Sequence, residues 1–282
     1  MTRRSRHRNK KGNQGWLAWT LAALFLLLII RGAAGLMSRA AEEPDRVASG
    51  VTHYPDLEIT RATSGPEWPL TRYEGFTVCF DERRHNPVWV GWELLESETD
   101  GTEARSNRFW QDDDVYGCAS PRDYTNSGYD RGHMCPAADQ KWSKQAMRDC
   151  FSMANITPQV HDLNGGAWKT LEQKERQWAQ RDSALVIVSG PIYGKSAPPM
   201  TIGTTGVHVP EAFFKVLLAP YLDKPRAIGF IYPNMNCPGN MRDYSMSVDE
   251  VEAATGLDFF SNLPDEIEEE AERAASFDTW NR

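Results

Sequence analysis

Five runs of strand length place the strongest constraint on the fold of this chain. Each is rich in apolar, β-branched or aromatic residues and is bounded by polar residues, glycine or proline, which is typical of β-strands. A polar turn joins the first two runs, which predicts that they form a strand pair. The five runs are residues 76–80, 88–95, 184–188, 212–218 and 227–232.

Three stretches among these runs have the pattern of helices. Residues 139–150 and 165–181 each place apolar side chains along one helix face. A third helix is predicted to open on a capping box formed by Ser247 and Glu250 and to end at Gly256. Strands and helices in this arrangement predict an α+β domain. We expect a linker over residues 41–56, the folded domain over residues 57–263, and an acidic tail, either a solvated helix or disordered, over residues 264–282.

The charge of the chain is divided unevenly. Residues 1–40 contain eight basic and no acidic residues, so the remaining 242 residues carry 23 basic and 39 acidic side chains, a formal net charge of −16. A body this acidic argues against a broad electrostatic grip on DNA or on a membrane surface. An anionic substrate would have to be met by a few well-placed cations or by a metal ion.

The N-terminus has the pattern of a targeting segment. Six basic residues precede an apolar run over residues 16–30, which predicts one N-terminal apolar helix. This helix is long enough to span a membrane if it continues beyond Arg31. Residues 1–40 then form either a signal-anchor or a signal peptide cut near residues 38–40. A buried helix fits less well, and so does a mitochondrial transit peptide, which would be amphipathic. Either main alternative predicts an exported body: membrane-anchored with an extracytoplasmic domain, or periplasmic or secreted after cleavage.

One tetrapeptide combines three chemically useful side chains. Asp130, Arg131 and His133 supply a carboxylate, a guanidinium and an imidazole, and Gly132 between them would allow a tight turn. An imidazole can take a proton from water, and a guanidinium can hold phosphate oxygens. The cluster is suited to phosphodiester hydrolysis, although a structural salt-bridge loop would use the same residues.

A second group of polar residues follows within about 40 positions. Asn164 lies at the predicted start of a helix, where its side chain could act as an N-cap or as a neutral oxygen ligand of Mg²⁺. Glu172 lies eight residues further on, about 12 Å along an unbroken helix and on another side of it. Both residues can therefore serve one ion only if the helix starts irregularly. Otherwise Glu172 is a solvated charge.

These motifs resemble those of a known family. Residues 130–133 read DRGH, residues 155–159 read NITPQ, and Leu163, Asn164, Trp168, Leu171 and Glu172 follow at fixed spacing. In order and spacing they are similar to the DNA/RNA non-specific endonuclease family, the family of Serratia nuclease and endonuclease G. The resemblance extends over about residues 70–263. It implies a ββα-metal (His-Me finger) domain with a central antiparallel sheet, and a metal-dependent, sequence-nonspecific endonuclease that cuts DNA, RNA or both to leave 5′-phosphate ends.

The resemblance also implies a metal site. His133 would be the general base that activates the attacking water. Asn164 would be the direct protein ligand of Mg²⁺, for which Mn²⁺ or another divalent ion can substitute. Glu172 would orient water held by the ion. The expected partners are DNA and RNA substrates, and the membrane if the N-terminal segment is uncleaved; a homodimer is left open.

The remaining roles implied by the resemblance concern charge and support. Arg105 and Arg131 would stabilise the negative charge that develops on the phosphate, although Arg108 competes with Arg105 in the alignment. Asn155 would support the site by hydrogen bonding, and Asp130 would hold the loop or the neighbours of the histidine.

The cysteines leave the redox chemistry open. Export would permit disulfides, but an odd count leaves at least one thiol unpaired. A bridge between Cys135 and Cys237 would brace the loop after the DRGH motif. The five cysteines are Cys79, Cys118, Cys135, Cys150 and Cys237.

Two other functions fit parts of the sequence. A non-catalytic binding module would use the same fold, but the intact His133, Asn164 and Glu172 count against it. A hydrolase of another phosphodiester is not excluded by any residue.

Overall fold

The computed structural model describes residues 54–194, 198–273 and 277–281. The predicted targeting segment and most of the predicted linker lie outside these ranges. Within them, no helix is long and apolar enough to cross a membrane.

A seven-stranded antiparallel sheet forms the centre of the domain, with the strand order β12-β11-β10-β7-β4-β3-β2. The strands are β1 (Arg61–Ala62), β2 (Leu70–Arg72), β3 (Thr77–Asp81), β4 (Asn86–Leu95), β5 (Asp130–His133), β6 (Ile156–Gln159), β7 (Ala184–Ile192), β8 (Thr201–Ile202), β9 (Val207–His208), β10 (Ala212–Ala219), β11 (Arg226–Pro233), β12 (Ser245–Met246) and β13 (Leu257–Asp258). The five predicted strands are β3, β4, β7, β10 and β11. The expected α+β class with a central antiparallel sheet is confirmed.

The helices flank this sheet. They are α1 (Lys144–Asp149), a π-helix (Leu163–Trp168), α2 (Lys169–Asp182), α3 (Val248–Thr255), α4 (Asp265–Arg273) and α5 (Phe277–Trp280), with short 3-10 turns at Glu96–Glu98, Pro121–Tyr124, Met153–Asn155 and Met241–Tyr244. The capping box before α3 and its end at Gly256, where φ is +70°, are as predicted. Helix α1 is shorter than predicted. It begins only after Ser143, whose hydroxyl accepts from two amides of the first turn.

Alternate residues of β10 divide the core between the two faces of the sheet. Phe213, Lys215 and Leu217 point to the face covered by α2 and by the β5–β6 pair, whereas Phe214 and Val216 point to the face covered by α3 and α4. This alternation follows from the two-residue period of a strand. The DRGH motif therefore belongs to the first face.

The C-terminal acidic segment is helical, one of the two expected forms, but one side of the helix is buried rather than solvated. In α4, Ile267 packs against the core and Ala271 is buried in it. Trp280 of α5 is buried, with its ring centroid 5.6 Å from that of Trp178. The apolar residues of this segment are few but lie one helix turn apart, so they bury one side of α4 while the acidic residues dominate its composition.

The cysteines form no disulfide. All five lie in the described part of the chain, where each is buried and unpaired. The suggested bridge between Cys135 and Cys237 is therefore absent. Burial raises the pKa of Cys79, Cys118 and Cys150 to about 12. These thiols behave as small core residues.

Candidate active site

The DRGH motif lies on a strand rather than in a turn. Strand β5 pairs with β6, and the chain after β6 enters the π-helix and α2, which together make a β-β-α unit. Gly132 is paired with Thr157 across the ladder. A Cβ on Gly132 would lie 2.7 Å from the Cβ of Gln159. The glycine therefore allows close contact between the strands, which corrects the expectation of a tight turn.

His133 is almost enclosed by aromatic side chains. It is 7% exposed, and its ring centroid lies 4.9 Å from that of Phe151 and 5.5 Å from that of Phe109. Its buried Nε2 has no hydrogen-bond partner among the described residues. Burial and, secondarily, the charge of Arg105 lower the pKa of His133 to about 3. The imidazole is therefore neutral at neutral pH.

Two arginines lie over the rings that enclose this imidazole. The Arg105 guanidinium lies 5.1 Å from the centroid of Phe151, and that of Arg131 lies 5.2 Å from the centroid of Phe109. Each arginine thus stacks on a ring that also contacts His133. Arg131 shares its strand face with His133, because the two are two residues apart, and it donates to the carbonyl of Pro121 at 2.7 Å.

Asn164 is held by the first residue of the motif. Its Nδ2 donates to Oδ2 of Asp130 at 2.9 Å. The same carboxylate oxygen lies 2.8 Å from Nδ1 of His161. Asn164 lies inside the π-helix rather than at its N-cap, and its backbone amide donates to Val160. With its amide nitrogen engaged, the Oδ1 of Asn164 remains available to a cation.

The helix that contains Asn164 and leads into α2 starts irregularly. Asn164 and Glu172 could serve one ion only with such a start. The π-helix replaces the first α-helical turns, and Gly166 within it has non-helical angles, φ −108° and ψ −109°. The positions of Gly165 and Gly166 face open space, since a Cβ there meets no atom within 4 Å. Glu172 then follows in the first turn of α2.

Asn155 is buried and makes only backbone contacts through its side chain. Its Oδ1 accepts from the amide of Cys135, and its Nδ2 donates to the carbonyls of Cys135 and Cys150, all at 2.9 Å. The amide of Met134 donates to the carbonyl of Asn155 at 3.0 Å. Asn155 thus fixes the backbone that directly follows His133.

The family model for DNA/RNA non-specific endonucleases matches residues 59–266. The chain belongs to the DNA/RNA non-specific endonuclease family. This confirms the resemblance seen in the sequence, and the protein is accordingly a nuclease of a metal-dependent family.

Relatives of this nuclease carry matching names. It is 31% identical over 258 residues to endonuclease G, mitochondrial, of Bos taurus, covering 83% of this chain and 85% of that protein. It is 32% identical over 223 residues to the mitochondrial nuclease of Saccharomyces cerevisiae, covering 71% and 68%. Among solved structures, the crystal structure of the EndoG/EndoGI complex contains a chain similar to it, with a TM-score of 0.65, 27% identity and coverage of 69% and 86%.

The nuclease also contains a buried charge network that the motifs do not reveal. Lys215 and Glu175 are both fully buried, and Nζ lies 3.1 Å from Oε1. The Lys215 ammonium also lies 4.5 Å from the Trp168 ring centroid. Nearby, Arg176 pairs with the buried Asp139 at 2.8 Å. The one available signal is a lone lysine inside the apolar run at residues 212–218.

This network acts on Glu172. Burial raises the pKa of Glu172 to about 7, Lys215 opposes that rise, and the carboxylates of Glu175 and Asp139 add to it. Because Lys215 is the cation that most strongly lowers this pKa, it favours the ionised form of Glu172 at neutral pH.

Proposed function

We propose that this nuclease hydrolyses phosphodiester bonds of DNA, RNA or both, using His133 as the general base and a Mg²⁺ ion held by Asn164, and leaves 5′-phosphate ends. One observation carries the proposal: a buried imidazole is enclosed by two aromatic rings, and an arginine lies over each of these rings. A base next to two phosphate-binding cations is the equipment that phosphodiester hydrolysis requires.

The donor atoms fit a hard divalent cation. Asn164 offers a neutral amide oxygen whose partner nitrogen is bonded to Asp130, and Glu172 offers a carboxylate after the irregular helix start. Mg²⁺ prefers oxygen ligands and takes few from the protein; Mn²⁺ can substitute. Such a cation, when bound, polarises the phosphate and stabilises charge on the leaving oxygen.

The side chains divide the remaining work. His133 accepts the proton of the attacking water, and Arg105 and Arg131 stabilise the charge that develops on the phosphate. Glu172 accepts a hydrogen bond from water beside Asn164. Because these groups address phosphate rather than base edges, cutting is independent of sequence.

Asp130 and Asn155 act through other residues. Asp130 orients the Asn164 amide, and Asn155 fixes the backbone after His133. Neither needs to contact the substrate.

We further propose that residues 1–40 are a targeting segment followed by a linker over residues 41–56. The basic residues before an apolar run support a signal-anchor or signal peptide, with a membrane-anchored extracytoplasmic body in the first case and a periplasmic or secreted one in the second. The names of the relatives support a mitochondrial address as the alternative. Fractionation and N-terminal sequencing of the mature protein separate these outcomes. The homodimer that the resemblance leaves open is tested by light scattering, which measures the mass of the protein in solution.

The catalytic proposal is tested with supercoiled plasmid and with RNA, in Mg²⁺ and in EDTA. We expect nicking and degradation only with the metal, and 5′-phosphate ends on the products. The Asn164→Ala variant should need far more Mg²⁺ than the wild type. An unchanged Mg²⁺ titration in that variant would remove Asn164 as the ligand.

A further inference from the structure

A cluster of three carboxylates lies on the sheet face opposite the active site. Asp249 and Glu252 belong to α3, and Glu272 belongs to α4. One oxygen from each lies within 4.8 Å of the other two. Calcium binds oxygen at about 2.4 Å, so two ligands of one Ca²⁺ are at most about 5 Å apart. The spacing of the cluster therefore suits a single ion.

Glu272 is the unusual member of this cluster. It is 5% exposed, and its buried Oε1 has no hydrogen-bond partner among the described residues. A buried, unpaired carboxylate is costly. The charges that act on it most strongly are all negative, namely Glu252, Glu268, Asp249 and Asp258. A cation or a proton at this point would offset that cost.

The packing of α4 explains why Glu272 is buried at all. Ile267 and Ala271 join the apolar cluster that contains Val248 and Val251 of α3. Docking of these apolar residues carries Glu272, the neighbour of Ala271, into contact with the acidic face of α3. Hydrophobic burial thus holds together two helices whose charges repel.

One ligand of the cluster is already oriented. Glu252 Oε1 accepts from the backbone amide of Phe259 at 2.8 Å, which fixes its carboxylate. Asp249 is exposed, so the outer side of the cluster is open to water. Three carboxylates with water on one side match the oxygen-rich, flexible coordination of Ca²⁺ better than the strict octahedron of Mg²⁺.

We propose that Asp249, Glu252 and Glu272 bind one Ca²⁺-type divalent cation, separate from the catalytic ion, which fastens α4 to α3. The ion neutralises the repulsion between the two helices. It thereby stabilises the C-terminal part of the domain without touching the active site.

The test is calcium titration of the full-length Asn164→Ala protein by calorimetry and by thermal unfolding. That substitution removes the proposed catalytic ligand, so binding there does not obscure the result. We expect one Ca²⁺ per chain and, at about 100 times the Kd, a rise in Tm of about 5 °C or more. Nuclease activity is not a readout, so failure of the catalytic proposal leaves this test intact.

Two further substitutions in the same background make the test specific. Glu272→Gln keeps the shape of the side chain, so it should fold; it should abolish the calcium response and raise the Tm in EDTA, because the neutral amide needs neither an ion nor a proton when it is buried. Glu266→Gln, on the exposed side of α4, should keep the full response. No heat and no Tm shift at about 1 mM CaCl₂, or an equal response in Glu272→Gln, would overturn the proposal. Burial and the surrounding carboxylates raise the pKa of Glu272 to about 9, so a proton would then occupy the place of the ion.

Discussion

The amide of Asn164 and the carboxylate of Asp130 are joined by a hydrogen bond of 2.9 Å. A carboxylate only accepts, so the NH₂ group faces Asp130 and the amide oxygen faces away from it. The first residue of the DRGH motif thereby orients a side chain that lies 34 positions later, at the start of the helix. In our proposal that oxygen meets the metal ion, which makes Asp130 a positioning residue.

Replacement of Asp130 should weaken metal binding rather than abolish chemistry. In Asp130→Ala the Asn164 amide loses its fixed orientation, and we expect the Mg²⁺ concentration for half-maximal activity to rise about 10- to 100-fold. His161→Ala is the matched control, because this exposed side chain contacts the same oxygen of Asp130 and leaves the bond to Asn164 in place. Equal metal titrations for wild type and Asp130→Ala would contradict the positioning role.

The ambiguity between Arg105 and Arg108 can be settled by kinetics. Arg105 stacks on Phe151, which contacts His133, and its charge lowers the pKa of His133. Arg105→Ala should lower kcat/KM about 100-fold, whereas Arg108→Ala should remain within a few-fold of wild type. The larger loss in Arg108→Ala would reverse the assignment.

The burial of His133 should make the protein sensitive to acid. Its pKa is about 3 in the folded state and about 6.5 in the unfolded chain. Between these two pH values the unfolded chain binds a proton on His133 that the folded state does not bind. The free energy of unfolding therefore falls as the pH drops from about 6.5 towards 3. The loss should reach about 4 kcal/mol relative to His133→Phe, which lacks the titrating group. Urea unfolding of both proteins at several pH values measures it, and parallel curves would count against the low pKa.

Loss of the buried lysine should be costly because it leaves its partner unpaired. Lys215→Met leaves the buried Glu175 without its ion-pair partner and should lower the free energy of unfolding by about 3–5 kcal/mol. The double variant with Glu175→Gln should recover most of that loss. Lys215→Met should also raise the pKa of Glu172 further, moving the acid limb of the rate profile to higher pH. A double variant no more stable than the single one would show that the pair is not coupled.

Local sequence patterns predicted those elements whose shape depends on local chemistry. The five core strands follow from apolar runs, and α3 follows from the Ser247–Glu250 capping box and Gly256. The order of the motifs identified the family and with it the β-β-α unit. Asn164 and Glu172 can serve one ion only if the helix that joins them starts irregularly, and the π-helix is such a start.

Features that depend on distant contacts could not be predicted. Gly132 is required by the side chain of Gln159, which lies 27 positions away, so a turn and a strand looked equivalent from the sequence. Lys215 is buried because Glu175 comes from another element. Helix α5 packs against Trp178, and α4 packs in the same apolar cluster as α3. The acidic composition of this segment does not reveal these contacts.

The most direct test of the account is single-turnover cleavage of supercoiled plasmid by the His133→Ala protein in saturating Mg²⁺, with plasmid binding measured in parallel. His161→Ala serves as the control histidine. We predict that His133→Ala binds plasmid as the wild type does and cuts it about 1,000-fold more slowly, while His161→Ala cuts at nearly the wild-type rate. Cutting by His133→Ala within about tenfold of the wild-type rate would fall below the contribution of a general base and would contradict the assignment of His133.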